Sequence, residues 1–407
     1  MQIPRTVSAL ATAVLLTISG AGAGSSAAAA DAGQAGTCKP TWKVVATPPA
    51  TNLHGASVST VSSHSAWFGS LDGGSYDQVI WHWDGKAVTQ TAPLPTGPFF
   101  DQSAGHQQES RSSFSSDGEG WVLMGWDQSG QAIGDRLHAG RWTRIPLAVS
   151  PDPRDVVPVV QTLVSVSATD AWAAGYLRSE QSGYAGVLLE HWDGVRWSIV
   201  AHPASALPRA DIMRLTVVSA TDIWAVGGHR GDDGVLRPFA EHWNGLRWSI
   251  SDPAATAATP AEFNAVSASG PSDVWAFGAQ TMAGTENTAV PLVEHWDGRA
   301  WKVMGNIPDL GNAQLDAGYA SGPNDVWAPV EVQLGDAVRF LHWDGKTWTA
   351  VPGPAPEEFG MFYVYQQMSG TGPADVWAIG SAVDVSAGAG GPAFLSTQIV
   401  HLSCGKV

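Results

Sequence analysis

The 407-residue sequence predicts an all-β fold, a seven-bladed β-propeller of four-stranded antiparallel blades whose ring is closed by an N-terminal strand joining the last blade. Three observations predict it. First, an acidic or polar residue, an apolar one and Trp-Ala-x-Gly recur, with the Trp at 67, 121, 172, 224, 275, 327 and 377; the intervals are 54, 51, 52, 51, 52 and 50 residues. A fixed period of this length is the mark of a repeat architecture. Second, His-Trp-[Asp/Asn]-Gly-x-x-Trp follows at a near-constant distance, at His191–Trp197, His242–Trp248, His295–Trp301 and His342–Trp348, with degenerate copies at His82–Val88 and His138–Trp142. Third, the last copy stops after His401, and its missing strand stands at the other end of the sequence.

Each unit divides into four strands. In the unit around Trp224, Leu215–Ser219 is a short β-branched run, and Ala220-Thr221-Asp222 reads as a tight turn. Ile223–Gly227 follows as the second strand, with a variable Gly/Asp-rich loop through Pro238. Phe239–Trp243 is the third strand, Asn244-Gly245 a hairpin turn, and Arg247–Ser251 the fourth strand. Asn-Gly or Asp-Gly between apolar runs signals a hairpin because the primed turn needs positive φ. A right-handed β-helix has shorter rungs and needs no paired hairpins, and a tandem of sandwiches would not keep this spacing.

Taken in order, residues 1–30 read as a signal peptide: Arg5, the apolar run Val7–Ile18, a Gly/Ala/Ser tail and the small residues Ala28-Ala29-Ala30. The apolar run is short for a membrane anchor, and no other stretch reaches the roughly 18 apolar residues of a spanning helix. The expectation is a secreted, extracellular protein with no membrane insertion. Residues 31–37 are expected to be a flexible mature N-terminus and 38–407 one propeller domain. Cys38-Lys-Pro-Thr-Trp42-Lys-Val-Val matches fourth strands such as Lys346-Thr-Trp348-Thr-Ala-Val. Aligned this way, Cys38 and Cys404, the only cysteines, meet at the hairpin turn, and a disulfide is expected to lock the ring. In the loop-entropy picture such a cross-link is worth roughly 5–6 kcal/mol.

Composition narrows function. The net charge of −16 (21 Lys and Arg against 37 Asp and Glu) excludes nucleic acid, which needs clustered cations, and argues against anionic membrane surfaces. Phosphate-binding and dinucleotide loops, a nucleophile elbow and a zinc helix are all missing from the sequence. Arg230–Gly234 resembles a calcium loop only superficially. No cofactor and no metal are expected. Seven His occupy one repeat column, one per blade, and so cannot converge on one ion. Each is expected to bond within its own blade, to the Asp of the D-x-W turn. Eighteen of the 20 Trp fall in three repeat columns and are expected to fill the wedges between blades, with each buried indole N–H partnered.

Function is expected where the repeat breaks. Connections after the first and third strands are short and uniform, whereas those after the second and fourth are long and varied. In antiparallel blades the varied set shares one face, where loops on a rigid scaffold carry binding or catalysis. Candidate ligand-binding residues there are Asp101, His106, Glu109 and Arg111 before blade 2, and Arg154 before blade 3. Arg209, Asp211 and Arg214 lie before blade 4, and Tyr363 and Tyr365 before blade 7.

The D-V-W-A-x-G…H-W-D-G-x-x-W units resemble exported bacterial β-propeller repeat proteins described as kelch-like or galactose-oxidase-like, over residues 38–407. The W-D-G-x-x-W segment is also similar to repeats of some seven-bladed bacterial lectins, which implies sugar binding. These blades lack the Gly-Gly pair of kelch repeats, and both Cys are assigned to closure, which leaves none for a copper-radical Tyr cross-link. The reading is a secreted, monomeric binding protein whose variable face recognises a glycan or an extracellular protein. The alternative is a carbohydrate-active lyase or hydrolase with acid/base residues at the central channel mouth.

Overall fold

Every ~50-residue period becomes one antiparallel sheet, and seven sheets follow one another around a ring. The computed structural model describes residues 41–48, 56–71, 78–94, 111–126, 131–148, 156–179, 183–254, 259–282, 284–285, 288–332, 339–354, 361–384 and 393–403. Blades are numbered in chain order. Their innermost strands are Ser57–Ser62, Arg111–Ser116, Val156–Ser167, Asp211–Ser219, Ala261–Gly270, the two pieces Ala313–Gln314 and Tyr319–Gly322, and Met361–Gly372. The outermost strand of blade 7 is Thr41–Ala46, paired with Ala393–Ser403 in the register Thr41↔Ser403 to Val44↔Val400. Closure by the N-terminal strand is therefore as expected. Cys38 and Cys404 lie outside the described residues, as do residues 1–37.

Sequence reasoning drew the strand ends differently. In blade 4 the inner strand starts at Asp211, four residues before Leu215, because pairing with the second strand continues past a bulge, as Arg214↔Val226, Ile212↔Gly227 and Asp211↔Gly228. The same bulge interrupts the register in blades 3, 5 and 7, at Val160/Thr162, Phe263/Ala265 and Tyr365/Gln367. It explains the Gly of Trp-Ala-x-Gly. A Cβ added at Gly175, Gly227, Gly278 or Gly380 would stand 1.9–2.1 Å from a carbonyl oxygen of the bulged strand. Blade 6 has Val330 at this place, three residues after Trp327, and there the inner strand breaks between Gln314 and Tyr319. Gly278→Ala is thus expected to cost about 1–3 kcal/mol of stability by overpacking, read from denaturant midpoints. Gly270→Ala, where a Cβ meets nothing within 4 Å, serves as the matched control.

The hairpin after the third strand also differs from the two-residue primed turn. Pairing ends at Trp243↔Trp248, leaving a four-residue loop in which only Gly245 has positive φ, at 86°. The side chain of Asn244 replaces a backbone turn by accepting the N–H groups of Leu246 and Arg247, both at 3.0 Å. Asp84, Asp193, Asp297 and Asp344 do the same in their blades.

The His column is structural, as expected. His191, His242, His295, His342 and His401 contact Asp170, Asp222, Asp273, Asp325 and Asp375 through Nε2 at 2.7–2.9 Å. Each ring also lies on the Trp of its own blade, with centroids 4.0–4.3 Å apart. Burial pushes the Asp273 carboxyl up, but bonds from His295, Ser269 and Trp275 outweigh it and hold the acid below its usual range. In blade 1, where Ser65 replaces the Asp, His82 turns to Ser65 and to Asp117 of blade 2.

Between blades the Trp columns meet. Trp172 packs on Trp243 and Trp248 of blade 4, Trp224 on Trp296 and Trp301 of blade 5, and Trp275 on Trp343 and Trp348 of blade 6. Trp327 meets Trp42 of the closing strand, and Trp377 meets Trp83 of blade 1. One expectation fails here. Nε1 of Trp243, Trp275, Trp301, Trp327, Trp343 and Trp377 has an acceptor, but the buried Nε1 of Trp42, Trp83, Trp172, Trp192, Trp197, Trp224, Trp248 and Trp348 has none.

Candidate functional site

Inner strands line a central channel, and the edge they present to it needs partners for its backbone N–H groups. Neighbouring blades supply them. Ser59 Oγ accepts Phe114 N–H (3.2 Å), Ser113 Oγ accepts Ser165 N–H (2.8 Å) and Thr162 Oγ1 accepts Leu215 N–H (3.0 Å). Ser267 Oγ accepts Ala320 N–H (3.0 Å), and Ser369 Oγ accepts Thr60 N–H (3.0 Å) across the seam of the ring. Gln367 Oε1 does the same for Val58 N–H at 3.2 Å, so the acceptor is a side-chain oxygen of the preceding inner strand in each case.

The column breaks at its outer end. The residue ten positions before each Trp is Ser57, Arg111, Thr162, Arg214, Ala265, Ala317 and Gln367. Two arginines therefore hold equivalent places in blades 2 and 4. Arg111 is 6% exposed, while Arg214 keeps some solvent contact through the channel. Burial, then the neighbouring charge of Arg214, brings the Arg111 pKa well below its ordinary value; burial brings Arg214 to about 10 despite Asp316. Like charges are thus gathered in a poorly solvated place.

Carboxylates and amides surround them. Asp211 accepts a bond from Gln161 Nε2 at 2.6 Å, and its other oxygen is buried without a partner. Burial and the nearby charge of Glu262 push Asp211 up to about 7, although Gln161 acts the other way. Glu262 is itself raised by burial and by Asp316. Asp316, in the broken inner strand of blade 6, accepts Asn264 Nδ2 at 2.8 Å and Gln314 Nε2 at 3.0 Å, and its backbone carbonyl faces Arg214 Nη2 at 3.5 Å. Tyr184 and Tyr176 of blade 3 stack at 6.4 Å; burial and Asp211 raise both phenols, Tyr184 to about 12.

Of the residues singled out from sequence, Arg111, Asp211 and Arg214 come together at this mouth. They sit on inner strands rather than in the loops before them; Asp211 does so because pairing in blade 4 continues past the bulge between Ile212 and Arg214. Arg209 is exposed on the preceding connection, with φ at 49°. Tyr365 is 4% exposed, donates its hydroxyl to Gln398 and packs on Phe340, so it belongs to the wedge between blades 6 and 7. Tyr363 lies on the same strand as Tyr365, where its backbone pairs with Ala382 of the second strand. Asp101, His106, Glu109 and Arg154 lie outside the described residues. Gln161, Glu262, Asn264, Gln314 and Asp316 escaped sequence reasoning; aligning inner strands on the Trp, which also puts both arginines in one column, is the signal that finds them.

Below the mouth is a cavity of about 230 Å³ lined by residues of all seven inner strands. Among the described residues no group of three or more His, Cys, Asp or Glu is arranged to hold a metal ion, and no helix is long and apolar enough to cross a membrane.

No family model matches the sequence, and no curated protein resembles it significantly. Solved structures share its fold. YCF48 bound to a D1 peptide is 11% identical, with a TM-score of 0.52, over 89% of this chain and 96% of that one. A polysaccharide lyase of family PL25, an ulvan lyase bound to -[GlcA(1-4)Rha3S]-, is 9% identical, with a TM-score of 0.55, over 84% and 93%. The β-propeller domain of the trilobed protease from Pyrococcus furiosus, described as having an open velcro topology, is 8% identical, with a TM-score of 0.50, over 86% and 95%. At these identities the likeness shows the fold alone: the chain is a seven-bladed β-propeller.

Proposed function

We propose that the protein is an exported binding protein whose ligand, a glycan or an extracellular protein, seats at the channel mouth on the face carrying the long connections. One observation carries the reading: charged and amide side chains that are not part of the repeat converge on one place. Repeated polar groups are consumed in holding the blades, whereas Arg111, Gln161, Asp211, Arg214, Glu262, Asn264 and Asp316 gather around a single opening. The fold accommodates either ligand class, since YCF48 is seen with a peptide and the ulvan lyase with a saccharide. Membership of the kelch-like or galactose-oxidase-like propellers is part of the same proposal.

A second reading rests on Asp211. A carboxyl pushed up to about 7 is poised to exchange a proton near neutral pH, which is what a lyase or hydrolase requires of its acid or base. One experiment separates the two. Wild type and Asp211→Asn, which keeps the size of the side chain, are screened against glycan and peptide panels with a parallel assay for released sugar. Binding without product, weakened by Asp211→Asn, is the expected result. Product release abolished by Asp211→Asn makes the protein an enzyme, and panels without a ligand for the wild type refute the binding reading.

A further inference from the structure

The cavity beneath the mouth has an unusual charge state for so acidic a chain. Arg214 is the sole charged side chain among the described lining residues. Its Nη1 is buried without a hydrogen-bond partner, and its Nη2 reaches only the Asp316 carbonyl, at a long 3.5 Å. The Asp316 carboxylate is occupied by Asn264 and Gln314. No ion pair with Arg214 is present among the described residues. Asp316 is thus a nearby charge that makes no direct bond to the guanidinium. A cation held largely out of water with a free N–H face is costly, and a ligand anion bonded to it restores the balance.

The cavity wall agrees with this. Ser59, Thr162, Ser267 and Ser369 line it, and each hydroxyl oxygen already accepts a backbone N–H from the next blade. What remains to each is its proton. Four O–H donors and one guanidinium make a wall suited to an acceptor-rich anion. Gln366 Oε1, buried and unpartnered on the same wall, offers one acceptor for a ligand hydroxyl. The volume of about 230 Å³ lies below the roughly 300–1,000 Å³ of sites for drug-sized ligands, which suits one ring and not a stretch of peptide.

We propose that the central channel is a subsite for one acidic sugar, with Arg214 receiving its carboxylate and the serine and threonine hydroxyls its remaining acceptors. The planar guanidinium fork matches a carboxylate and carries the single positive charge that a monoanion needs. The inference rests on the binding reading above and names its ligand class.

The test is calorimetric titration of the whole protein at fixed ionic strength with glucuronate, glucose and N-acetylglycine, the last a carboxylate on a peptide-like group. Glucuronate is expected to bind roughly tenfold or more tightly than either of the others, and Arg214→Gln to bring it down to the level of glucose. Equal affinity for glucose would overturn the anion site, and equal affinity for N-acetylglycine would overturn the sugar. Melting of Arg214→Leu without ligand supplies a readout that a structural role would move in the opposite sense. A ligand arginine predicts a melting temperature at or above wild type, because an unpaired buried charge has been removed. A lowered one, or a chain that does not fold, assigns Arg214 to the scaffold and sinks the proposal. If the panels yield a ligand sensitive to Asp211→Asn but glucuronate shows no preference, only the channel inference falls. If they yield none, the binding reading falls with it.

Discussion

Replacing Trp42 with alanine is expected to lower the unfolding free energy by about 3–5 kcal/mol, the range for deleting a large buried aromatic. Trp42 is the one aromatic residue of the strand that closes the ring, and it is 7% exposed. Its ring stacks on Phe340 at 4.0 Å and 16° and meets Trp327 edge-on at 5.7 Å, both in blade 6. Val376, Val400 and Leu402 of blade 7 complete the surrounding core. The side chain therefore joins the N-terminal strand to the rest of its own blade and to the blade before it. Val44 lies on the same strand at 38% exposure, so Val44→Ala should stay within about 0.5 kcal/mol. Chemical denaturation of the pair isolates the seam: similar small losses for both would mean that the closing strand does not hold the ring. A loosened strand also uncovers the edge of Ala393–Ser403, so the Trp42 variant should be the more prone to self-association.

The architecture was legible because its signals are local and repeated. Asp-Gly and Asn-Gly turns, paired Trp columns and a fixed period each constrain one blade, and seven copies remove the ambiguity of any one. The match of Thr41-Trp42-Lys43-Val44 to fourth strands such as Thr347-Trp348-Thr349-Ala350, with the last copy lacking its own, identified a displaced fourth strand. Strand ends were less legible. The inner strand of blade 4 begins at Asp211 because a bulge lets pairing continue over Gly227, and the only trace of that bulge in the sequence is a Gly whose role depends on a carbonyl opposite it. That shift moved Asp211 and Arg214 from a loop into the channel wall. Glu262 and Asp316 were harder still. Singly they are ordinary surface acids, and only ring closure brings residues about fifty and one hundred positions from Asp211 to the same opening. Tyr365 failed in the opposite direction, since an aromatic beside a channel and an aromatic in a wedge between blades look alike in sequence.

Glu190→Gln is expected to stabilise the protein at neutral and alkaline pH while leaving it little changed in mild acid. Glu190 precedes the His-Trp pair of blade 3 and is completely buried. One carboxyl oxygen accepts the Ala148 N–H at 2.9 Å, tying the connection from blade 2, and the other is buried without a partner. Burial raises the acid to about 7, only partly opposed by the Ala148 bond, against an ordinary value of 4.5. Because the folded pKa is the higher one, the folded chain holds a proton that the unfolded chain has released between these values. The stability associated with this group is complete below 4.5 and is lost as the pH rises through 7. At about 1.4 kcal/mol per unit, the loss is on the order of 3 kcal/mol by mildly alkaline pH. Glutamine keeps an acceptor for Ala148 and never ionises. Denaturant titrations at pH 4.5 and 8.5 should therefore show the wild type losing that amount relative to the variant. A variant equally stable or weaker at pH 8.5 would mean that Glu190 is ionised in the fold with a counter-charge close by. The corresponding Glu241 and Glu294 hold connections in blades 4 and 5 in the same way, Glu241 with His202 Nδ1 at 2.7 Å and Glu294 with the Ala254 N–H at 2.7 Å. A buried acid facing the incoming chain is thus a recurring fastening between blades.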